Sequence, residues 1–155
     1  MPTATYIPLQ TLTLSSSASS VTFGSIPNTY KDLVLVYDAQ GGSAQEVRLA
    51  LNSSTANGSF VFMLGDGSST ASGTASALIA GTISTNRSVN IVQFMDYSAT
   101  DKHKTMLIRS SRPSEAVLAY ACRWASTNAI SSIQVYPNSG NWTSGGVFSL
   151  YGIAG

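Results

Sequence analysis

Charge is what this sequence has least of. Only 10% of its 155 residues are Asp, Glu, Lys or Arg, against about a quarter in an average globular domain. Eight cations and seven anions leave a net charge of +1. A nucleic-acid binder needs a cationic face to displace phosphate counterions, and a few scattered cations do not make one. A coiled coil needs charges beside its seam, and an acidic disordered tail needs a high net charge; neither pattern is present. The single cysteine excludes an intramolecular disulfide framework. One histidine and one cysteine cannot fill the four positions of a structural zinc site. Long apolar runs are also missing: none approaches the roughly 20 residues of a membrane-spanning helix. The opening residues, Met1 to Leu9, carry no basic region ahead of an apolar one, so the expectation is synthesis in a cytosol without an export signal. No segment repeats apolar residues at helical spacing, so essentially no helix is expected.

Hydroxyls and apolar bursts are plentiful. The chain has 26 serines and 15 threonines, and 43% of it is hydrophobic. Hydroxyls cost less to bury than charges, which suits a surface pressed against other neutral surfaces. The apolar residues alternate, or come in short bursts between Gly/Ser/Asn/Pro clusters. Ser20–Phe23 alternates. Asp32–Tyr37 is apolar on both faces and reads as a central strand. Gln45–Asn52 points Val47, Leu49 and Leu51 inward and Glu46 and Arg48 outward. Phe60–Leu64 is again apolar throughout. Further strands are expected at Ser88–Asp96, Lys104–Arg109, Glu115–Trp124, Ser132–Tyr136 and Val147–Ile153, with an edge strand within Thr3–Leu14. Roughly nine or ten strands at even spacing predict one all-β domain, an antiparallel β-sandwich with Greek-key, jelly-roll-like connections. The sandwich should span 20–155, with 1–19 as an extended N-terminal arm or edge strand. Gly65–Ser76 reads as a small, polar mobile loop or an insertion at one end of the sandwich, and Pro137–Gly146 as a second loop with an aromatic at its centre.

Few residues suggest chemistry. His103 lies in Asp101-Lys-His-Lys104, where a hydrophilic strand start explains it, and no nucleophile elbow accompanies it. The acids Asp32, Asp38, Glu46, Asp66, Asp96, Asp101 and Glu115 show no pair of the glycosidase kind. Gly65-Asp66-Gly67 reads as a turn, because one carboxylate is too few for calcium. Cys122, inside a strand-like run, reads as a buried thiol. The sequons at Asn52, Asn57, Asn86 and Asn141 follow from composition, and without an export signal they are expected to stay unmodified. Tyr136, Asn138, Asn141 and Trp142 form a candidate contact site: either the aromatics anchor the loop or touch a subunit, or a ring plate with nearby amides grips a sugar. No catalytic residue, metal or cofactor is expected.

Four stretches carry a resemblance. Ser20–Val36, with Val21-Thr-Phe-Gly-Ser-Ile-Pro-Asn-Thr-Tyr-Lys-Asp-Leu33 at its heart, opens the core, Asp96-Tyr-Ser-Ala-Thr-Asp-Lys-His-Lys-Thr105 occupies the middle, and Trp124-Ala-Ser-Thr-Asn-Ala-Ile-Ser-Ser-Ile-Gln-Val135 and Phe148-Ser-Leu-Tyr-Gly-Ile153 close it. Together they resemble small structural proteins of tailed bacteriophage particles, over about residues 19 to 153. The resemblance implies a virion component with no catalytic residues: a head decoration (cement) protein, or a module of a tail, collar or fibre that touches host glycan. Expected partners are the major capsid protein or other virion proteins and further copies of the chain, with a trimer favoured. Neither nucleic acid nor membrane is an expected partner. In the arm, Tyr6, Ile7, Leu9, Leu12 and Leu14 are the candidate anchoring residues, lying extended on a neighbour.

Overall fold

The computed structural model of the chain describes residues 4–113 and 116–155. Among the described residues there are twelve strands: β1 (Tyr6–Thr13), β2 (Val21–Phe23), β3 (Asp32–Ala39), β4 (Gln45–Leu51), β5 (Gly58–Gly65), β6 (Thr70–Ala75), β7 (Ile79–Ile83), β8 (Ser88–Met95), β9 (Lys104–Arg112), β10 (Ala116–Trp124), β11 (Ile133–Pro137) and β12 (Val147–Ile153). No helix occurs among the described residues. The strands form two antiparallel sheets, an all-β sandwich. One sheet has eight strands in the order β1-β12-β3-β8-β9-β10-β5-β6, and the other has four in the order β2-β11-β4-β7. From β1 to β4 the chain alternates between sheets. The pairs β5-β6 and β9-β10 extend the large sheet beyond β8.

Alternation in the sequence becomes alternation in burial, because successive strand side chains point to opposite faces. In β4, Val47, Leu49 and Leu51 are fully buried, and Glu46 and Arg48 lie half-buried on the other face. In β10, Leu118, Tyr120, Cys122 and Trp124 point inward, and Val117, Ala119, Ala121 and Arg123 point outward. Strand β3 lies between β12 and β8; its inner side chains Leu33, Leu35 and Tyr37 are buried, and Val34 on the other face is nearly so. The layers are joined by side chains as well as by apolar packing. Tyr37 Oη donates to the Ala80 carbonyl at 3.1 Å. Between the sheets, Thr82 N donates to Ser110 Oγ at 2.9 Å, and Ser110 Oγ donates to Asn90 Oδ1. These groups meet one another's hydrogen bonds, which buried polar groups require.

The structure corrects one expectation and adds two features that the sequence pattern does not show. Residues 65–76 are not one long loop: Thr70–Ala75 forms β6, paired residue for residue with β5. A backbone ladder needs no apolar side chains, and the Phe62 ring lies over Gly73, where a Cβ would come within 2.8 Å of it. Strand β7 carries no alternation, since its sequence is Ile-Ala-Gly-Thr-Ile and every residue is buried. Gly81 there has φ +133, and a Cβ would overlap the Asn90 carboxamide. Strand β5, apolar from Phe60 to Leu64, is buried on one face only. Phe60 is buried, but Val61 and Met63 are exposed, because the four-stranded sheet covers only one face of the large one. The expected start of β10 at Glu115 falls outside the described residues.

Candidate functional site

The four stretches behind the resemblance meet at one end of the sandwich. Tyr97, fully buried, donates its hydroxyl to the Pro27 carbonyl, and Tyr30 N donates to that same hydroxyl oxygen at 3.4 Å. Asp32 accepts from the Asp96 backbone N–H at 2.8 Å. Lys31 N donates to the Ile153 carbonyl at 2.8 Å, and Ile130 N donates to the Tyr97 carbonyl at 2.9 Å. The Tyr30 ring sits on the backbone of Gly152, leaving no room for a Cβ. Lys104 is fully buried, and its ammonium donates to the carbonyls of Lys102 at 3.0 Å and Thr127 at 3.3 Å. Loss of solvent lowers its pKa, with the Asp101 and Asp96 carboxylates opposing. On the surface Lys31 and Lys102 flank Asp96, and hydrogen bonding to Lys31 holds that carboxyl below its usual value. This end locks β3, β8, β9 and β12 together. The polar side-chain atoms of Lys31, Asp32, Asp96, Tyr97 and Lys104 are engaged with one another or with nearby backbone.

The opposite end holds the loop that the sequence nominated. Trp142 is fully buried, with its ring centroid 5.0 Å from Phe148 and 5.8 Å from Tyr37. Its backbone N donates to the Ala18 carbonyl at 2.8 Å, and its carbonyl accepts from Ala18 N at 3.3 Å and Ser17 Oγ at 3.0 Å. The ring therefore anchors the loop and offers no face to a sugar, which corrects the plate reading. Arg87 binds the same end, donating to Asp38 Oδ1 at 3.0 Å and to the Gly145 carbonyl at 3.0 Å. Asn141 is exposed and lines an open cleft of about 550 Å³ with residues 15–17, 42–43, Gln45 and the rest of the 139–144 loop. Tyr136, half-buried, and Asn138, exposed, do not line it. No lining residue is charged. Gln45 Oε1 already accepts from Ser139 N at 2.7 Å and Ser139 Oγ at 2.8 Å. What remains is a neutral hydroxyl and amide surface, with hydrogen bonds to offer and no carboxylate or imidazole to move a proton.

Of the candidate anchoring residues, Tyr6, Ile7, Leu9 and Leu12 lie on β1, at an edge of the large sheet against β12, and Leu14 directly follows it. Leu9, Leu12 and Leu14 pack on the core, and Ile7 is half-buried. Tyr6 is exposed, with its ring edge-on to Tyr151 at 6.3 Å. Leu14 N donates to the Gly146 carbonyl at 2.9 Å, and Gly145 N returns a bond to the Leu14 carbonyl at 2.7 Å. Of the two expected forms, residues 6–13 take the edge strand and not the free arm. Their apolar side chains are held by their own domain.

The feature that sequence reasoning missed is the outer face of the large sheet. Cross-strand registers place Met63, Ala119, Arg109 and Ile91 in one row, and Val61, Ala121, Leu107 and Gln93 in the next. Six large apolar side chains are well exposed among the described residues, and five of them, Val61, Met63, Val89, Leu107 and Val117, stand on this face. The small Ala119 and Ala121 between them leave a shallow apolar depression of about 460 Å³. Contiguous apolar patches of this kind are uncommon on monomers and mark contact surfaces. The apolar run at 60–64 was the available signal, but a sequence does not say which of two apolar faces is covered.

The remaining candidates have structural settings. Cys122 is buried, and burial raises its thiol pKa. His103 is exposed. Asp66 closes a turn, its carboxylate accepting from the N–H and hydroxyl groups of Ser68 and Ser69, bonds that hold its pKa far below the usual value. The Asn52 sequon carboxamide is occupied, donating to the Ala129 carbonyl at 2.7 Å and accepting from Ser131 N at 2.8 Å. No group of three or more His, Cys, Asp or Glu placed to hold a metal ion occurs among the described residues. No protein-family model matches the chain, and no curated protein matches it.

Proposed function

We propose that this protein is a non-enzymatic structural component of a tailed-bacteriophage particle, a decoration or cement protein that binds and stabilises the head shell. The observation that carries this reading is the exposed apolar face of β8, β9, β10 and β5. A protein that docks on a shell needs a flat, largely uncharged contact surface, and this face supplies one. The strand order adds support. The set β1-β12-β3-β8 over β2-β11-β4-β7, with the chain alternating between sheets, reads as a jelly roll of two interleaved four-stranded sheets, an architecture that viral capsid proteins use. The low charge fits a role that must survive changes of salt. A second reading, a tail, collar or fibre module gripping host glycan, rests on the neutral cleft around Asn141. The buried Trp142 ring weakens it.

The test is the copy number of this protein in purified particles, measured by quantitative mass spectrometry against the major capsid protein. Symmetry ties position to stoichiometry: hundreds of copies mean a shell-wide protein, and about two dozen or fewer mean a vertex, collar, tail or fibre. Absence from purified particles overturns both readings.

A further inference from the structure

The large sheet has two open edges, and they are unlike. At β1, Pro8 stands mid-strand without an N–H, and the ladder to β12 shifts register between Pro8 and Gln10. A proline and a bulge are standard guards against pairing with another chain. The other edge, β6, has no such guard. Its sequence Thr-Ala-Ser-Gly-Thr-Ala contains no proline and no charge, and its register with β5 runs unbroken from Thr70 to Ala75.

Strand β6 is also weakly held. None of its residues is buried. Alanine, serine and glycine are poor strand formers, and here they have a ladder on one side only. The Phe62 ring over Gly73 is its main side-chain support. A second ladder would satisfy its outward N–H and C=O groups with protein partners.

We infer that β6 is a self-pairing edge, and that its occupant is β6 of a second copy, related by a two-fold axis. An antiparallel strand edge is self-complementary under such an axis, so one strand can serve both partners. Facing side chains would be Thr, Ser, Ala and Gly, with no like charges opposed and with Thr/Ser pairs that favour pairing. The guarded β1 edge of another copy is the poorer partner. Thr70, Ser72 and Thr74 share the outer face with Met63 and Val61. The pairing therefore joins two apolar faces into one platform across a continuous sheet, and it sets a dimer in place of the trimer that the resemblance favours.

The experiment is sedimentation velocity on the full chain over a wide concentration range, with hydrogen exchange of residues 70–75. The variants are Ser72→Lys with Thr74→Lys on the edge, and Val117→Lys on the outer face away from it. All three side chains are exposed, so circular dichroism and Tm should match the wild type. The wild type is expected to move between monomer and dimer, and the lysine pair to weaken the dimer by about tenfold or more through opposed like charges. Val117→Lys should change the dissociation constant less than about twofold, since it lies beyond the paired edge. Amides of β6 should be protected in the wild-type dimer and lose that protection in the edge variant. The inference is overturned by a wild type that stays monomeric throughout or assembles as a trimer. It is equally overturned by a dimer that the edge lysines leave intact, or one that Val117→Lys breaks as effectively. The measurement uses the isolated protein, so it stands apart from the copy-number test.

Discussion

Replacing Trp142 with alanine separates two uses of the same residue. As a ligand plate, the ring could be lost at little cost to the fold. As found, it is fully buried between Tyr37 and Phe148. A buried tryptophan removes about 200 Å² from water, worth about 5 kcal/mol at 25 cal/mol per Å². Part returns with the alanine and with relaxation around the cavity, so a loss of about 4 kcal/mol is expected, inside the range for large-to-small aromatic changes. For a domain of this size that lowers Tm by roughly 8–16 °C. Trp142→Phe keeps a ring in the cluster. It also discards an indole N–H that has no hydrogen-bond partner, so its cost should stay below about 2 kcal/mol. Urea unfolding followed by circular dichroism and by the fluorescence of Trp124, itself buried, gives both values, with an unchanged m confirming the same unfolding transition. A Trp142→Ala protein that loses less than about 1 kcal/mol yet fails to adsorb to cells would refute the packing argument and restore the plate.

Two further outcomes follow from the motif end. Gly152→Ala should cost about 1–3 kcal/mol by denaturation, because its Cβ overlaps the Tyr30 ring; combined with Tyr30→Ala the losses should fall short of additive, and strict additivity would deny the contact. The Asp96 carboxyl is held below the usual 3.8, chiefly by its hydrogen bond to Lys31, so the unfolded chain takes up the proton first. Its stabilisation is complete above the unfolded pKa and is lost as pH falls through the folded one. Asp96→Asn keeps a side chain that tolerates the positive φ of 47 at this position. The stability gap between wild type and this variant should narrow on acidification below about pH 4, and a gap independent of pH would remove the ion pair from the account.

Much of the local structure was legible. The alternation over Val147–Ile153 has the bounds of β12, and the inward set Val47, Leu49 and Leu51 is the buried set. Period-two alternation is a property of the strand itself, so it survives in one dimension. Misses occurred where the strand carries no such period. In β6 the ladder is backbone and a neighbouring ring; in β7 burial is complete on both faces. The candidate loop was found for a sound reason, an aromatic among small polar residues, but its meaning was not. Whether Trp142 faces solvent depends on Tyr37 and Phe148, and Tyr37 is supplied from far along the chain.

The fold class is written in the residues: low charge, no helical period and many short alternating runs leave an all-β domain as the fold that buries the apolar side chains. The order of strands and the unequal widths of the sheets arise only when the chain is packed in three dimensions. Eight strands stand against four, the inner side chains of β9, β10 and β5 are buried or half-buried, and nothing among the described residues covers their outer face, where Val61, Met63, Leu107 and Val117 are exposed. Strand order is set by pairings between distant residues. No local pattern encodes which edge stays open or which apolar face meets the solvent.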